Sequence, residues 1–222
     1  MHVVAINGSP RKHWNTWTLL EKALEGAASK GATTQMVHLY DLNFKGCKSC
    51  FTCKLKGGES YGKCIINDEL TSVLADVANA DGLLLGTPIY LGAGSGDMRS
   101  LLSRLLFPYW VYTDPITSLF TGKLHVGLIF TLGAPEELAL QRGYDKHMTL
   151  TQMMVSVIFG KTELLVSYDT MQFENQDLYV APRWDPVQKQ TRRREVFPEE
   201  CKEAFALGAR LISEQSDISK EH

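Results

Sequence analysis

Five short runs with strand character punctuate the chain: HVVAIN (2–7), TTQMVHLY (33–40), DGLLLGTP (81–88), KLHVGLIFT (123–131) and TELLVSY (162–168). Between them, apolar residues recur at helical spacing. Leu20, Ala23, Leu24 and Ala27 follow the first run, with Lys30-Gly31 as a stop; Leu70, Val73, Leu74 and Val77 precede the third, behind an N-cap at Asn67-Asp68. Met98, Leu101, Leu102, Leu105 and Leu106 follow the third run, and a further helix falls within 138–159. Phe197-Pro198-Glu199-Glu200 opens a last helix, since proline and acidic residues suit a first turn. Its expected apolar face carries Cys201, Ala204, Phe205, Gly208, Leu211 and Ile212, with Cys201 as a core cysteine. Strands this apolar are buried on both faces, and strand–helix alternation demands a parallel sheet with helices on either side. The expected fold class is therefore α/β: a doubly wound five-stranded parallel sheet in three layers, α/β/α. One domain is expected over 1–222, with a cysteine loop at about 46–66 and an irregular excursion at about 169–196.

Composition narrows the function classes. Hydrophobic residues make up 44% and charged residues 22%, enough apolar material for one sizeable core. A formal charge of -2 gives no global attraction to nucleic acid or to an anionic membrane. No apolar run approaches the roughly 20 residues of a membrane helix. Val3–Ile6 is too short for a secretory segment, so a cytoplasmic protein with reduced thiols is expected, and an odd count of five cysteines agrees. The basic stretch Lys189, Arg192, Arg193, Arg194 reads as solvated, in preference to a contact with a nicotinamide cofactor's phosphate.

Sheets of this kind bind ligands beyond the carboxyl ends of their strands, where strand order reverses. The loops after the first, third and fourth strands are thus the ones to read. The first is NGSPRKHWNTWTLL (7–20). Ser9 offers a hydroxyl, Arg11 a fixed charge, and Asn15 and Thr16 stand at the mouth of a helix, whose unpaired N–H groups and partial positive charge suit a phosphate monoester. The glycines and lysine of a Walker loop, and the pattern GxGxxG, are missing from it.

GSPR followed by NT in this setting resembles the NAD(P)H-dependent FMN reductases, which have the flavodoxin-like fold. The third loop, GTPIYLGAGSGDMRSLLSRL (86–105), is similar to that family's second flavin segment, and YDTMQFENQDLYVAPRWDP (168–186) extends the likeness. The nearest look is to the iron–sulfur flavoproteins and their cysteine-bearing relatives. The resemblance implies FMN as cofactor, held at Ser9, Arg11, Asn15 and Thr16 and at Pro88, Ile89, Tyr90, Leu91 and Gly92. The residue chemistry agrees: Pro88 fixes the backbone as it leaves the strand, Ile89 to Leu91 offer flat or apolar surface, and Gly92 permits close approach of backbone N–H groups. Thr131 to Pro135 are expected to line the ring as well. NADH or NADPH would be the electron donor. The acceptor would be a quinone, a nitroaromatic, free flavin, a metal complex or a partner protein. Such chemistry needs no protein nucleophile, and none of the six histidines is assigned to catalysis. Related reductases form homodimers or homotetramers. The apolar stretch LLFPYWVY (105–112) is accordingly expected to be covered by another subunit or by 169–196.

GCKSCFTCKLKGGESYGKC (46–64) holds Cys47, Cys50, Cys53 and Cys64. Three cysteines spaced by two, with a fourth further on, match a ferredoxin-type run better than the paired spacing of structural zinc, though zinc and unmetallated thiols both stay open. Resemblance to the iron–sulfur flavoproteins implies a [4Fe–4S] cluster on these four. The ten-residue gap before Cys64 is longer than theirs; loop closure tolerates this, each doubling costing only about 0.6 kcal/mol. With a cluster, the protein becomes an electron-transfer module serving a ferredoxin-type partner. A third alternative is a non-enzymatic thiol or metal sensor.

Overall fold

The computed structural model of the chain describes residues 1–218. From the amino terminus come β1 (His2–Asn7), α1 (Asn15–Ser29), β2 (Thr33–His38), α2 (Leu70–Ala78) and β3 (Gly82–Tyr90). A two-residue β4 (Ala93–Gly94) then folds back on β3, and α3 (Gly96–Leu106) leads to a small hairpin of β5 (Trp110–Val111) and β6 (Thr117–Ser118). β7 (His125–Thr131), α4 (Glu136–Gln141), α5 (Tyr144–Phe159), β8 (Thr162–Ser167), α6 (Pro186–Glu195) and α7 (Phe197–Ile218) complete it.

The main sheet has the order β2-β1-β3-β7-β8, with every neighbouring pair on that path parallel. This is the three-layer flavodoxin-like arrangement expected from the sequence. Side chains alternate between the two faces. Val4, Ile6, Leu83, Leu85, Val126 and Leu128 pack with α2, α3 and α5. Val3, Ala5, Leu84 and Ile129 pack with α1 and α7 on the other side. Those two helices approach closely: a Cβ on Gly208 would stand 1.7 Å from the Ala23 carbonyl oxygen, so only glycine fits there.

Some expectations need correction. Residues 138–159 are two helices, broken where Gly143 takes a φ of 70°. The excursion is irregular only as far as Asp185, whose carboxylate caps the first turn of α6. Phe205 is 38% exposed, and the buried position on that face of α7 belongs to Leu207. The N-cap of α2 is Glu69, one residue past the expected Asn67-Asp68, although Asp68 Oδ1 accepts the Leu70 N–H (3.1 Å), and β3 runs through Pro88 to Tyr90; the stop at Lys30-Gly31 agrees.

Parallel pairing gathers the carboxyl ends of β1, β3, β7 and β8 on one edge. The register sets Asn7 beside Gly86 and Pro88 beside Thr131, so the loops after β1, β3 and β7 start almost level. Chain order reverses between β1 and β3, which places the crevice of such sheets there.

Candidate functional site

Loop one is shaped from β1 outward. Asn7, fully buried at the strand's end, accepts the Ser9 N–H at Oδ1 (3.0 Å) and pairs through Nδ2 with His38 Nδ1 (3.0 Å). The resulting turn lets Ser9 Oγ accept from the Arg11 N–H at 3.2 Å. The next helix, α1, starts behind Trp14 with no side chain capping it. Its first-turn N–H groups are therefore available to a ligand at the mouth. Thr16 and Thr131 hydroxyls meet at 2.8 Å, joining that mouth to the end of β7.

Loop three is tied to loop one by Ser95, the N-cap of α3. Its hydroxyl donates to the Gly8 carbonyl (2.6 Å) and accepts the Met98 N–H (3.3 Å), while its own N–H donates to Thr87 Oγ1 (3.0 Å). Between Thr87 and Ser95, β3 and β4 form a turn through Leu91 and Gly92, both at positive φ (51° and 86°). Gly92 is required twice over: its φ suits glycine, and a Cβ would press on the Tyr144 ring at 3.2 Å. The Gly94 N–H donates to His147 Nε2 at 3.0 Å, which fixes the hairpin to α5. That bond uses the neutral ring, and burial, helped by the Arg99 charge, holds the His147 imidazole below its ordinary value.

Ser9, Arg11, Asn15, Thr16, Pro88, Ile89 and Tyr90 line one cleft of about 190 Å³ with Thr131, Leu132 and Gly133. Seven of the nine sequence-predicted positions thus come together. Leu91 and Gly92 do not line it; Leu91 is fully exposed at the tip of the turn. Ala134 and Pro135 also lie outside. The Asn15 side chain also braces the cleft: Oδ1 accepts from Arg193 (2.8 Å) and Nδ2 donates to the Met171 carbonyl (2.9 Å).

The fourth wall is Thr170 to Phe173, which sequence reasoning left inside an undifferentiated excursion. Thr170 N–H donates to Leu132 O, and Asp169 N–H to Ala134 O. Trp14 Nε1 donates to Met171 O, and Arg11, stacked on Trp14 at 4.0 Å, donates to Gln172 O. The basic stretch expected to be solvated serves this wall. Lys189 is 4% exposed and pairs with Asp169 and the Gly133 carbonyl; Arg192 pairs with Glu200. Burial lowers the Lys189 ammonium from its ordinary value, with Asp169 opposing. The family likeness over 168–186 is the one signal for Thr170–Phe173, and it assigns none of them to the site.

The cysteines form a second region. Cys47, Cys50, Cys53 and Cys64 line one small recess with Arg104 and Phe107. Ser49 and Phe51 both take positive φ (55° and 56°), which turns the chain sharply between successive cysteines. All four are free thiols; Cys53 is buried, and burial pushes its thiol up, whereas a Thr52 hydrogen bond draws the exposed Cys50 down. Among the described residues, no three His, Cys, Asp or Glu side chains converge closely enough to hold a single metal ion. His222 lies outside the described residues.

A larger cavity of about 690 Å³ runs between α3 and α5 beside this loop, past Phe107, Trp110, Tyr112 and Met154. Its lining is mainly apolar, with Arg99, His147, Ser49 and Ser103 as polar members. The stretch 105–112 forms part of its wall. Within the chain its cover comes from neighbours other than those expected: Tyr109 packs on Phe120 and Phe159, and Phe107 on Phe51 and Lys54. Tyr112 stays 73% exposed. No helix among the described residues is long and apolar enough to cross a membrane.

An iron–sulfur flavoprotein of Methanocaldococcus jannaschii is 36% identical over 104 residues, which is 47% of this chain and 51% of that protein. The chain spans about half the length of the curated relatives it matches. Among solved structures, an NAD(P)H:quinone oxidoreductase from Methanothermobacter marburgensis shares the fold, with a TM-score of 0.69 at 16% identity over 95% of this chain and 98% of the other. An FMN-dependent NADH-azoreductase from Bacillus anthracis in complex with FMN does so at 0.64 and 12%, over 95% and 98%. The sequence model of the NADPH-dependent FMN reductases matches residues 1–155, a span that holds loops one and three, the four loop cysteines and the end of β7. This chain belongs to the NADPH-dependent FMN reductase family.

Proposed function

We propose that this protein is an FMN-dependent NAD(P)H oxidoreductase that passes electrons to a quinone, nitroaromatic, flavin or protein acceptor, as a homodimer or homotetramer in the cytoplasm. One observation carries the reading: an uncapped helix mouth with a buried serine hydroxyl shares a single cleft with the apolar Pro88–Tyr90 ledge. The donor set fits the group. Ser9 Oγ, the Arg11 guanidinium and the first-turn N–H groups of α1 suit a dianionic phosphate, and Pro88, Ile89 and Tyr90 suit a flat heterocycle. The chemistry FMN supplies when bound is acceptance of a hydride from the nicotinamide and release of two electrons to an acceptor.

The chain's own contribution is positioning and exclusion of water. Thr16–Thr131 and Ser95–Gly8 lock three loops at fixed spacing, and Thr170–Phe173 closes one side. The open apolar cavity beside Tyr112 supports a second subunit covering α3 and α5.

A test is anaerobic titration of the purified, yellow protein with NADPH and separately NADH. Bleaching of the flavin band by at least one, followed by its return on adding a quinone, is expected. A colourless protein that cannot be reconstituted with FMN would instead support the sensor reading.

A second reading, an iron–sulfur electron-transfer module with a ferredoxin-type partner, is supported by four thiols lining one recess. Tetrahedral zinc needs sulfurs at about 2.3 Å from one ion. Three cysteines spaced by two with a fourth further on match a ferredoxin-type run better than the paired spacing of structural zinc. Cys47, Cys50, Cys53 and Cys64 would hold the cluster, and it would supply one-electron steps. Reduction by reduced ferredoxin but by neither pyridine nucleotide would select this account.

A further inference from the structure

The cysteine loop lacks regular structure apart from one short turn at Thr52–Lys54, yet its four thiols share a recess. Both of its ends are held by a single side chain. Arg104, in the last turn of α3, is 2% exposed and lines that recess. Its Nη1 donates to the Lys45 carbonyl (3.0 Å) and to Asp68 Oδ2 (2.6 Å), and its Nη2 to the Ile66 carbonyl (2.9 Å). Lys45 lies just before the first cysteine of the loop and Ile66 just after the last, so one guanidinium ties both ends to α3. Its Nε is buried without a hydrogen-bond partner, although the Cys64 side chain stands within interaction range. A buried cationic N–H left over in a pocket of sulfurs is costly unless something anionic completes it.

We propose that Arg104 is the positioning residue of the cysteine recess: it straps the two ends of the loop and keeps one N–H for an anionic sulfur set. That set is the four cysteine thiolates, alone or around an iron–sulfur cluster. The strap itself is independent of which; identification with a cluster rests on the second reading above. Lysine cannot substitute, because a point charge on a flexible stem does not span two carbonyls and a carboxylate at once.

The experiment uses the full chain carrying Cys201→Ser, so that only the four loop cysteines respond. Metal-free protein is treated with an aromatic disulfide reagent and the rate of its slowest thiol is followed. Arg104→Lys is expected to speed that thiol at least tenfold, because the buried Cys53 loses its cover, and Asp68→Asn to speed it about threefold. Bound FMN per chain serves as the folding control, and if Arg104→Lys fails it, Asp68→Asn carries the test. Rates within twofold of the parent in every folded variant would overturn the strap. The same proteins are then incubated anaerobically with ferrous iron and sulfide. Parent protein that takes up iron, with Arg104→Lys retaining less than half as much, supports the role of the guanidinium N–H; equal uptake overturns it. A parent that binds no iron removes the cluster reading and leaves the strap to be judged by the thiol rates.

Discussion

The flavin-type cleft and the cysteine recess lie on neighbouring loops of one sheet edge, yet they are built in opposite ways. The cleft grows from strand ends whose register is fixed by the sheet, and its walls are cross-tied by short local bonds: Asn7 to Ser9, Ser95 to Gly8, Thr16 to Thr131. Removing one tie leaves the others. The recess has a long, irregular loop held at its ends by Arg104 and on its flank by Lys54, which donates to the Pro108 and Trp110 carbonyls. Redundant short bonds make a pre-formed site, whereas two long cationic side chains make a site that a single substitution can open.

Chemistry aimed at the cleft itself should have the largest effect. Ser9→Glu puts a carboxylate where a phosphate is proposed, and like charges at close range cost several kcal/mol, so FMN affinity should fall by about a hundredfold or more. Flavin fluorescence titration of the apoprotein reads this directly. A loss under tenfold would mean that the phosphate sits elsewhere.

Ser95→Ala is the next smaller step and tests redundancy. It removes a helix cap and the bond to Gly8, which should cost about 1–2 kcal/mol in urea unfolding. FMN should weaken only about tenfold, because Thr16–Thr131 persists. Complete loss of FMN from a folded variant would show that the cross-ties are not redundant after all.

A smaller effect comes from pH. The His147 ring is held below its ordinary value and accepts the Gly94 N–H, so the folded chain favours its neutral form. That contribution is whole above the unfolded imidazole value, about 6.5, and is lost as pH falls through the lower folded value. Stability to urea should therefore fall between about pH 8 and about pH 5. His147→Gln, which keeps an acceptor, should flatten the curve, and a wild-type curve already flat would remove His147 from the account.

The smallest effect expected is that of Cys47→Ser with Cys50→Ser on the cleft. Neither residue lines it, so FMN affinity should stay within about twofold of wild type by the same titration. A larger loss would join the two regions into one site.

These two regions also differ in how far the sequence revealed them. Ser9, Pro88 and Tyr90 were readable because each sits within a few residues of a strand end, and a parallel sheet brings strand ends together without further information. The Thr170–Phe173 wall was not, since its placement depends on Lys189, Arg193 and Trp14, partners distant in sequence that carry no spacing signal. For the same reason a basic run looked solvated when Lys189, Arg192 and Arg193 all have partners within the fold. The bracing bonds of Asn15 were not readable either, because its amide partners, Met171 and Arg193, come from that same unread segment. Arg104 gave no signal at all, as its helix position looks like an ordinary basic residue in a last turn.

A crystal structure of the FMN complex tests the central claim most directly. The account predicts the phosphate within hydrogen-bond distance of Ser9 Oγ and the first-turn N–H groups of α1, with the ring against Pro88 to Tyr90. A phosphate bound away from α1, or a cleft filled by the Arg11 and Gln172 side chains with FMN lodged between α3 and α5, would contradict it.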